Sequence, residues 1–542
     1  MSTISDGPDA HAARTNLTVR DAVYDLLRQL GINRIFGNPG STELPLFRQF
    51  PDDFEYVLGL QEAVAVAMAD GYAQATGNAS LINLHSAVGV GHGMGNLYTA
   101  YKNQTPLIVI AGQQARSILP YEPYLSSAQP TELPRPYVKY SVQPARAQDV
   151  PRAIARAYYA AMQPPRGPVL VSVPVDDWDQ PADESLVVRS VSQRVAPDPE
   201  ALATVARALD QARRPAFVVG TGVDRDGAWD AMVALAETHQ AAVFVAPFAA
   251  RCGFPEDHAL FRGFLPAARE RIVALLQEHD VIVVVGAPAF IYHVEGHGPF
   301  IPEGASLFQI TDNPEEAHWA PVGSALISHV GLALEALCRQ TSPAARQPLP
   351  PRVRPERAPA TSPMSVAYVL QTLADVRTAE DIVVEEAPSS RIVMHDRLPI
   401  LRPGTFYTMA SGGLGYALPA AVGIAMARPE RRVICVIGDG SLMYSPQALW
   451  SAAQANTQLT VLVINNAGYG AMQRFAGVFG FPPEQRIPGI HLSGMNFCEL
   501  ATAHGCTAFR VEQGDELADV LRTALATPGP TLVEAVVEPA VH

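Results

Sequence analysis

The sequence predicts an α/β protein built from three doubly wound parallel-sheet domains. Short apolar runs typical of buried strands alternate with amphipathic helical stretches along the chain, as in parallel sheets that carry helices on both faces. At 542 residues, the chain is also too long to fold around a single core. Two irregular stretches divide it into three parts of similar size.

These divisions predict an N-terminal domain over residues 1–185, a central domain over 198–340, a linker over 341–364 and a C-terminal domain over 365–542. The linker is the clearer boundary, because the stretch 338–365 holds seven prolines among alternating basic residues. Such a stretch is too rich in proline for a packed element. A weaker boundary falls near 183–199.

Each part contains buried strands that can be placed from their apolar, β-branched composition. They are predicted at 80–85 and 106–111 in the first part, 216–220 and 281–285 in the second, and 432–437 and 459–464 in the third. Open parallel sheets bind ligands beyond the carboxyl ends of their strands. Polar motifs that directly follow strands are therefore the candidates for a functional site.

Composition excludes several classes of partner. The formal net charge of −14 argues against binding to nucleic acid or to an anionic membrane, since both need clustered Lys and Arg. No run of 18 apolar residues occurs, and the first 20 residues lack the apolar core of a signal peptide, so we expect a cytoplasmic protein. The five scattered cysteines form no CxxC pair and indicate neither a disulfide framework nor a thiolate metal site.

The most informative motif is Gly438-Asp439-Gly440, followed after 24 residues by Asn465-Asn466. Both ends of the motif follow predicted strands, so Asp439 and Asn466 should lie side by side. Mg²⁺ prefers oxygen ligands and takes part of its shell from phosphates. Asp439, Asn466 and the main-chain carbonyl of Gly468 would provide three such ligands. Taken alone, the segment could also be a turn and a strand cap without a ligand.

This segment resembles the diphosphate-binding motif of thiamin diphosphate (ThDP) enzymes. Further matching motifs occur in the N-terminal part: FGNPGSTELP at 36–45, LQEA at 60–63 and NLHS at 83–86. Over essentially its full length the chain is similar to the benzoylformate decarboxylase family, within the pyruvate decarboxylase and acetolactate synthase superfamily. The resemblance implies ThDP and Mg²⁺ as cofactors. It also implies a homo-oligomer, with a dimer of dimers (a homotetramer) expected, whose active sites lie between two chains.

The resemblance assigns roles to the residues that would hold the cofactor. Glu62 matches the carboxyl group that hydrogen-bonds the pyrimidine ring of ThDP and promotes loss of the C2 proton. Leu414, beside Gly413, matches the apolar wedge that brings the two rings of the cofactor together. The remaining contacts implied for ThDP are Ser389, Gly440, Ser441 and Tyr469. Without the resemblance, Glu62 could be an ordinary first-turn glutamate favoured by the helix dipole.

Three residues match family positions that handle the substrate. Ser41 corresponds to the residue that binds the substrate carboxylate, His85 to a histidine that acts on the substrate oxygen, and His293 to one that protonates the intermediate after decarboxylation. Imidazoles suit such roles because they donate or accept protons near neutral pH. Both histidines could instead be structural, and Ser41 could cap the helix after Gly40.

The predicted substrate pocket departs from the family pattern. Tyr124 stands where a leucine is expected, Pro388 where a threonine is expected and Thr408 where a phenylalanine is expected. Ala471, Met472 and Phe475 keep the apolar character. Exchanging an aromatic residue for threonine would enlarge a pocket and add a hydroxyl group, which changes discrimination between substrates by about 1–3 kcal/mol per contact.

The sequence therefore predicts ThDP-dependent, non-oxidative decarboxylation of an aromatic or hydrophobic 2-oxo acid to an aldehyde and CO2. A ThDP-dependent carboligase or lyase of the acetolactate synthase or benzaldehyde lyase type is the nearest alternative. A dehydrogenase is disfavoured, because the glycine-rich run 89–95 contains no GxGxxG. A non-catalytic binding protein would not need Glu62, Asp439 and Asn466 together. Whether the central domain binds a nucleotide stays open.

Overall fold

The computed structural model describes residues 17–183, 186–343, 345–482 and 485–539. Within them the chain forms three six-stranded sheets, each made of one continuous part of the sequence. The strand pairs with a defined register are parallel in all three sheets. Helices flank the strands, so the predicted fold class is confirmed.

The first sheet is formed by the N-terminal part. Its strands are β1 (Arg34–Asn38), β2 (Glu55–Leu58), β3 (Ser80–Leu84), β4 (Leu107–Gln113), β5 (Tyr140–Val142) and β6 (Val169–Pro174). Its helices are α1 (Val19–Gln29), α2 (Glu62–Thr76), α3 (Ser86–Asn103) and α4 (Val150–Met162). The strand order is β2-β1-β3-β4-β6-β5. A short 3-10 helix, Ser41–Glu43, follows β1.

The second sheet is formed by the central part. Its strands are β7 (Pro215–Val219), β8 (Ala242–Val245), β9 (Phe261–Phe264), β10 (Val281–Val285), β11 (Ser306–Thr311) and β12 (Ser324–Ile327). Its helices are α5 (Pro199–Gln211), α6 (Thr221–Arg225), α7 (Trp229–His239), α8 (Arg269–Leu276), α9 (Pro314–Trp319) and α10 (Val330–Gln340). The strand order is β12-β11-β10-β7-β8-β9.

The third sheet is formed by the C-terminal part. Its strands are β13 (Ile382–Glu386), β14 (Phe406–Thr408), β15 (Val433–Gly438), β16 (Leu459–Asn465), β17 (Thr507–Val511) and β18 (Thr531–Val536). Its helices are α11 (Val366–Val376), α12 (Arg391–Arg397), α13 (Ala417–Ala427), α14 (Asp439–Leu442), α15 (Ala448–Gln454), α16 (Gly470–Val478), α17 (Phe497–Ala503) and α18 (Leu517–Ala526). The strand order is β14-β13-β15-β16-β18-β17.

The first and third sheets share one strand order, counted from their own first strands. In each, the chain moves to one side after the first strand and to the other side at the third. The gap between these two strands, β1 and β3 or β13 and β15, is the topological switch point at which open α/β sheets bind ligands. The fold thus supplies two equivalent crevices.

Each sheet with its own helices is called a layer below, so the N-terminal, central and C-terminal parts are the first, central and third layers. The first and third layers pack against each other through helices α2 and α13. Two glycines permit the close approach: a Cβ atom on Gly71 would lie 2.1 Å from the Ala420 carbonyl oxygen, and one on Gly423 would lie 1.9 Å from that of Met68. Residues of both helices belong to one continuous apolar core. This packing fixes the two crevices relative to each other within a chain.

The central layer is attached by a buried charged junction. Arg225 pairs with Asp312 at 2.5 Å and donates to Gln104 Oε1 of the first layer at 2.6 Å. Asp224 accepts the Gly404 N–H of the third layer at 2.8 Å. Because three layers meet here, the loops of the central layer are held in place. None of the helices in the described ranges is long and apolar enough to cross a membrane.

Candidate active site

The crevice of the first sheet holds His85 and the segment that follows β1. Because Asn38 and Leu84 are register partners, the two strands end at the same level and the segments that follow them meet. His85 Nδ1 lies 3.0 Å from Glu43 Oε2 and 3.0 Å from Thr42 Oγ1. Glu43 is almost fully buried and also accepts the Gly40 N–H at 2.7 Å. A buried carboxylate therefore fixes the orientation of the His85 ring.

Ser41 lies directly beside this group and is exposed to solvent. The alternative that Ser41 caps the helix after Gly40 does not hold. Gly40 occupies the N-cap position of the short 3-10 helix, and the Glu43 side chain binds the Gly40 N–H, so no cap is needed from Ser41. The Ser41 hydroxyl is thus available at the mouth of the crevice.

Glu62 is the first residue of α2, as the sequence predicted. Its side chain is 12% exposed, and Oε2 lies 3.1 Å from Nδ1 of His92 on α3. The next residue is also held by α3, because the Asn96 side-chain amide donates to the Ala63 carbonyl at 2.8 Å. The same amide donates to the Gly415 carbonyl at 3.2 Å. Asn96 thereby ties the start of α2 to the loop that contains Leu414.

The loop of Gly413 and Leu414 is anchored by a glutamate that no sequence motif indicated. Glu386, at the end of β13, accepts the main-chain N–H groups of Gly415, Tyr416 and Ala417 at 2.7, 2.8 and 2.7 Å. Leu414 is half-buried against the apolar core, and Gly413 is exposed. Burial raises the pKa of Glu386 to about 7, although the three N–H groups act in the opposite direction.

The crevice of the third sheet holds Asp439 and Asn466. Gly438 and Ile464 are register partners, so β15 and β16 end together. The Gly468 N–H lies 3.0 Å from Asp439 Oδ2 and 3.3 Å from Asn466 Oδ1, so both oxygens converge on one amide. Burial raises the pKa of Asp439, and main-chain N–H groups, including that of Gly440, oppose the shift. The Gly468 carbonyl accepts the Gly470 N–H at 3.1 Å.

The neighbouring predicted cofactor contacts surround Asp439. Tyr469 packs on Gly440 so closely that a Cβ atom there would lie 2.4 Å from its ring. Ser441 is buried in the short helix α14, and Ser389 is half-buried in the turn after β13. Ser389 and Asp439 thus flank the switch point of this sheet.

His293 comes from the loop after β10 in the central layer. Its ring is exposed and lies edge-on to Phe475 of α16, with 4.6 Å between ring centroids. Its main-chain N–H donates to the Ala267 carbonyl at 2.9 Å. The central layer therefore brings His293 to the helix that carries Ala471 and Met472, next to Tyr469.

The three positions that depart from the family pattern differ in their surroundings. Tyr124 is 86% exposed. The Pro388 carbonyl accepts from Arg474 at 3.3 Å. Thr408 is buried, and its hydroxyl group is already bonded: it lies 2.9 Å from Glu385 Oε2 and 2.7 Å from an Arg391 guanidinium nitrogen. The hydroxyl group that Thr408 adds is thus hydrogen-bonded to Glu385 and Arg391 within the protein.

The main chain packs closely at the switch point of the central sheet, between β10 and β7. A Cβ atom on Gly220 would lie 2.5 Å from that of Ala287, and one on Gly222 would lie 2.7 Å from the Gly286 Cα. The main-chain segments after the two strands thus contact each other directly. The glycine-rich run 89–95 is not a phosphate loop, because it lies inside α3.

The donors in the third-sheet crevice suit a diphosphate held through a hard cation. In the described ranges, no group of three or more His, Cys, Asp or Glu side chains is placed to hold a metal ion. A cation bound here would therefore need amide, main-chain and phosphate oxygens beside Asp439, a ligand set that Mg²⁺ accepts. The convergence of two side-chain oxygens, from Asp439 and Asn466, on one amide fits such a group.

Comparison with known proteins agrees with this geometry. Sequence profiles of the thiamine pyrophosphate enzyme N-terminal TPP-binding, central and C-terminal TPP-binding domains match residues 17–131, 202–337 and 388–535. The chain is 44% identical to a benzoylformate decarboxylase from Pseudomonas aeruginosa, over 95% of this chain and 98% of that one.

Two solved structures are similar over nearly their whole length. The benzoylformate decarboxylase from Polynucleobacter necessarius gives a TM-score of 0.94 at 40% identity, covering 96% of this chain and 98% of that one. The thiamine diphosphate-dependent 4-hydroxybenzoylformate decarboxylase from Rhodococcus jostii gives 0.94 at 39% identity, covering 96% and 99%. The chain is therefore a thiamine pyrophosphate enzyme and belongs to the benzoylformate decarboxylase family.

Proposed function

We propose that this protein is a 2-oxo acid carboxy-lyase that decarboxylates an aromatic or hydrophobic 2-oxo acid without oxidation, giving an aldehyde and CO2. The observation that carries the proposal is His85, held by the buried Glu43 at the switch point of the first sheet. A proton-handling group is thus fixed in one crevice of a thiamine pyrophosphate enzyme. The related proteins named for benzoylformate and 4-hydroxybenzoylformate suggest the substrate class.

Bound ThDP would supply the carbanion chemistry and the electron sink for loss of CO2. Glu62 would hold a proton against the pyrimidine ring, and Leu414, with Gly413, would set the conformation of the cofactor. Ser389, Gly440, Ser441 and Tyr469 would line the diphosphate. Mg²⁺, bound by Asp439, Asn466 and the Gly468 carbonyl, belongs to the same proposal.

The side chains that act on the substrate come from two layers. Ser41 would bind its carboxylate, since the hydroxyl group is exposed at the crevice of the first sheet. His85 would exchange a proton with the substrate oxygen, and its ring is kept in place by Glu43 and Thr42. His293 would deliver the proton that completes the aldehyde, from its position against Phe475.

A homo-oligomer with active sites between chains is part of the proposal. Large apolar side chains stay exposed beside the motif residues: Leu44, Leu60, Val88, Met443 and Tyr444 are 39–63% exposed. Large apolar side chains exposed beside a functional motif favour contact with another protein surface. Sedimentation of the holoenzyme would distinguish a dimer from the expected tetramer. Fractionation of the source cells would test the expected cytoplasmic location.

The test is aldehyde and CO2 release from benzoylformate, 4-hydroxybenzoylformate, phenylpyruvate and pyruvate by the protein with ThDP and Mg²⁺. Glu62→Gln should abolish turnover, whereas Glu200→Gln, a first-turn glutamate of α5 in the central layer, should not. Ligation of two aldehydes with no release of CO2 from any of these acids would favour the carboligase alternative. Turnover retained in Glu62→Gln would refute the assigned chemistry.

A further inference from the structure

The glycine-rich run 89–95 places one ionisable side chain against the proposed cofactor-activating residue. The run forms the first turns of α3, and His92 is its single side chain that can titrate. Nδ1 of His92 lies 3.1 Å from Glu62 Oε2. The His92 side chain is 57% exposed, whereas that of Glu62 is 12% exposed. His92 thus connects a mostly buried carboxyl group with solvent.

The glycines hold this pair in place by bringing α2 and α3 close together. A Cβ atom on Gly93 would lie 3.1 Å from Cγ2 of Val66 on α2. One on Gly89 would lie 3.5 Å from Glu62 Oε1, so this oxygen lies beside the bare main chain of α3. His92 follows three residues later and therefore faces the same side of α3. The two oxygens of Glu62 thus have different neighbours along one helix.

Other charged groups near these helices are bonded elsewhere. His85 precedes α3, but its Nδ1 is bonded to Glu43 and Thr42. Asp70 of α2 is buried and accepts hydrogen bonds from Gln74 and Thr105. Lys102, in the last turn of α3, lies over the ring of Tyr98. Among the described residues, Glu62 is the one acidic side chain in hydrogen-bond contact with His92.

We propose that His92 is a positioning residue that orients Glu62 and carries protons between Glu62 and solvent. This inference rests on the proposed function, in which Glu62 would hold a proton against the pyrimidine ring of ThDP. Whenever Glu62 loses its proton, His92 would return one from Nδ1 to Oε2 and would take one from water at Nε2. One proton would thus pass from solvent to Glu62, with no change in the charge of the imidazole.

His92 would make two contributions, a hydrogen bond to Glu62 and proton exchange, and different substitutions remove them. His92→Asn keeps a short side chain whose N–H can reach Oε2, but it cannot exchange a proton. His92→Ala removes both the hydrogen bond and the exchange. His258→Ala serves as the matched control, because His258 forms a similar pair with Glu237 in the central layer, with 3.2 Å between Nε2 and Oε1.

The measurement is the rate of hydrogen–deuterium exchange at C2 of ThDP bound to the holoenzyme, by acid quench and NMR. His92→Ala should slow the exchange by about tenfold or more, since positioned acid–base groups contribute at least this much. His92→Asn should also be slow. Imidazole added to the buffer should restore the rate in His92→Ala but not in His92→Asn, where the cavity is filled. His258→Ala should exchange at the unaltered rate.

Binding of ThDP, followed by fluorescence quenching, provides the second readout. If His92 acts as proposed, the ThDP dissociation constants of the two variants should stay within about threefold of the wild-type value. Unchanged exchange in His92→Ala would overturn the proposal, as would a loss of ThDP affinity in both variants without slower exchange. Wild-type exchange in Glu62→Gln would instead refute the role of Glu62. If none of the tested acids is decarboxylated, only the proposed function is refuted, because hydrogen–deuterium exchange at C2 needs no substrate.

Discussion

The ring of His85 lies directly on the main chain of Gly40. A Cβ atom on Gly40 would lie 2.3 Å from both Cγ and Nδ1 of the ring, closer than any real contact. The same residue donates its N–H to Glu43, the carboxylate that holds His85. Gly40 is therefore needed for space at the ring and at the same time orders the residue that orients it.

Gly40→Ala should displace the imidazole and strongly reduce decarboxylation. Because the contacts of Gly40 are all in the first-sheet crevice, the substitution should leave Asp439 in the third-sheet crevice unaltered. ThDP should therefore still bind. We expect kcat/KM to fall by about 100-fold, since displacement of a positioned catalytic group by about 1 Å has this effect. The check is steady-state kinetics together with ThDP titration.

Gly167→Ala provides the control for this substitution. A Cβ atom there would contact the aliphatic Cδ of Lys139 at 3.1 Å, and this flexible side chain can move. Its activity should equal that of the wild type. Full activity in Gly40→Ala would show that His85 does not need its observed position.

Glu43 should be as important to turnover as His85, although it does not face solvent. Glu43→Gln removes the charge that holds His85, and Gly112→Ala should have a similar effect, because its Cβ atom would lie 1.8 Å from Glu43 Oε1. Glu43→Gln and Gly112→Ala should each lower kcat. The variant that combines the two substitutions should have a kcat hardly lower than that of either single variant. Additive losses, measured by a double-mutant cycle on kcat, would mean that the two residues act separately.

Much of the site could be predicted because it depends on local patterns. The apolar, β-branched runs at β10 and β16 place strands within about one residue of their observed bounds, and Glu62 begins α2 as expected. Since parallel strands end at one edge, the pairing of Asp439 with Asn466 follows from the two strands alone.

What could not be predicted depends on contacts between distant segments. Glu43 was visible only as the fourth residue of a Gly-x-x-Glu capping pattern, and its contact with His85 spans 42 positions. Glu386 differs from Glu385 only in the side of the strand that it faces, yet it anchors the loop of Leu414. The Thr408 hydroxyl group accepts a hydrogen bond from Arg391, which lies 17 residues away in the sequence.

Thr408→Val should destabilise the protein, because the hydroxyl group belongs to a buried charged network. Burial opposes ionisation of Glu385, yet Arg391 and the Ala387 N–H hold its pKa below the usual value, so the network is charged. Losing a hydrogen bond to such groups costs about 1–3 kcal/mol. Differential scanning calorimetry should show a lower Tm.

Thr405→Val is the matched control in the same layer. Thr405 donates one hydrogen bond, to the neutral Arg402 carbonyl at 2.7 Å. Its loss should cost less, about 0.5–1.5 kcal/mol. An equal or smaller effect for Thr408→Val would show that its hydroxyl group contributes no more than an ordinary one.

Removal of divalent cations should abolish ThDP binding. With EDTA the diphosphate would face Asp439 without a cation between them, so like charges would repel. Asp439→Asn should weaken Mg²⁺-dependent ThDP binding by at least about tenfold, and Asp515→Asn, an exposed aspartate of the same layer, should not. Fluorescence titration with ThDP at several Mg²⁺ concentrations would measure this. Equal ThDP affinity with and without EDTA would contradict the proposed cation site.

The buried Asp70 should make the stability of the protein depend on pH, and one substitution should remove this dependence. Burial raises its pKa to about 6, although Gln74, Thr105, Asn103 and Tyr416 donate hydrogen bonds to it. The folded protein therefore binds more protons than the unfolded chain between about pH 4 and 6. The protonated Asp70 makes its full contribution to the free energy of unfolding below about pH 4. This contribution is lost as the pH rises from about 4 to 6. Its contribution changes by up to about 1.4 kcal/mol per pH unit.

Asp70→Asn mimics the protonated carboxyl group and keeps an oxygen that can accept from Gln74 and Thr105. Calorimetry from pH 4 to 7 should therefore show the Tm of the variant rising relative to that of the wild type. The control is Asp53→Asn: hydrogen bonding to Arg28 lowers the pKa of Asp53 in the folded protein, so above about pH 5 this exposed group is ionised in both states. Above about pH 5, its Tm difference from the wild type should therefore not vary with pH. A pH-independent difference for Asp70→Asn would mean that Asp70 stays charged when buried, with the four donors outweighing the cost of desolvation.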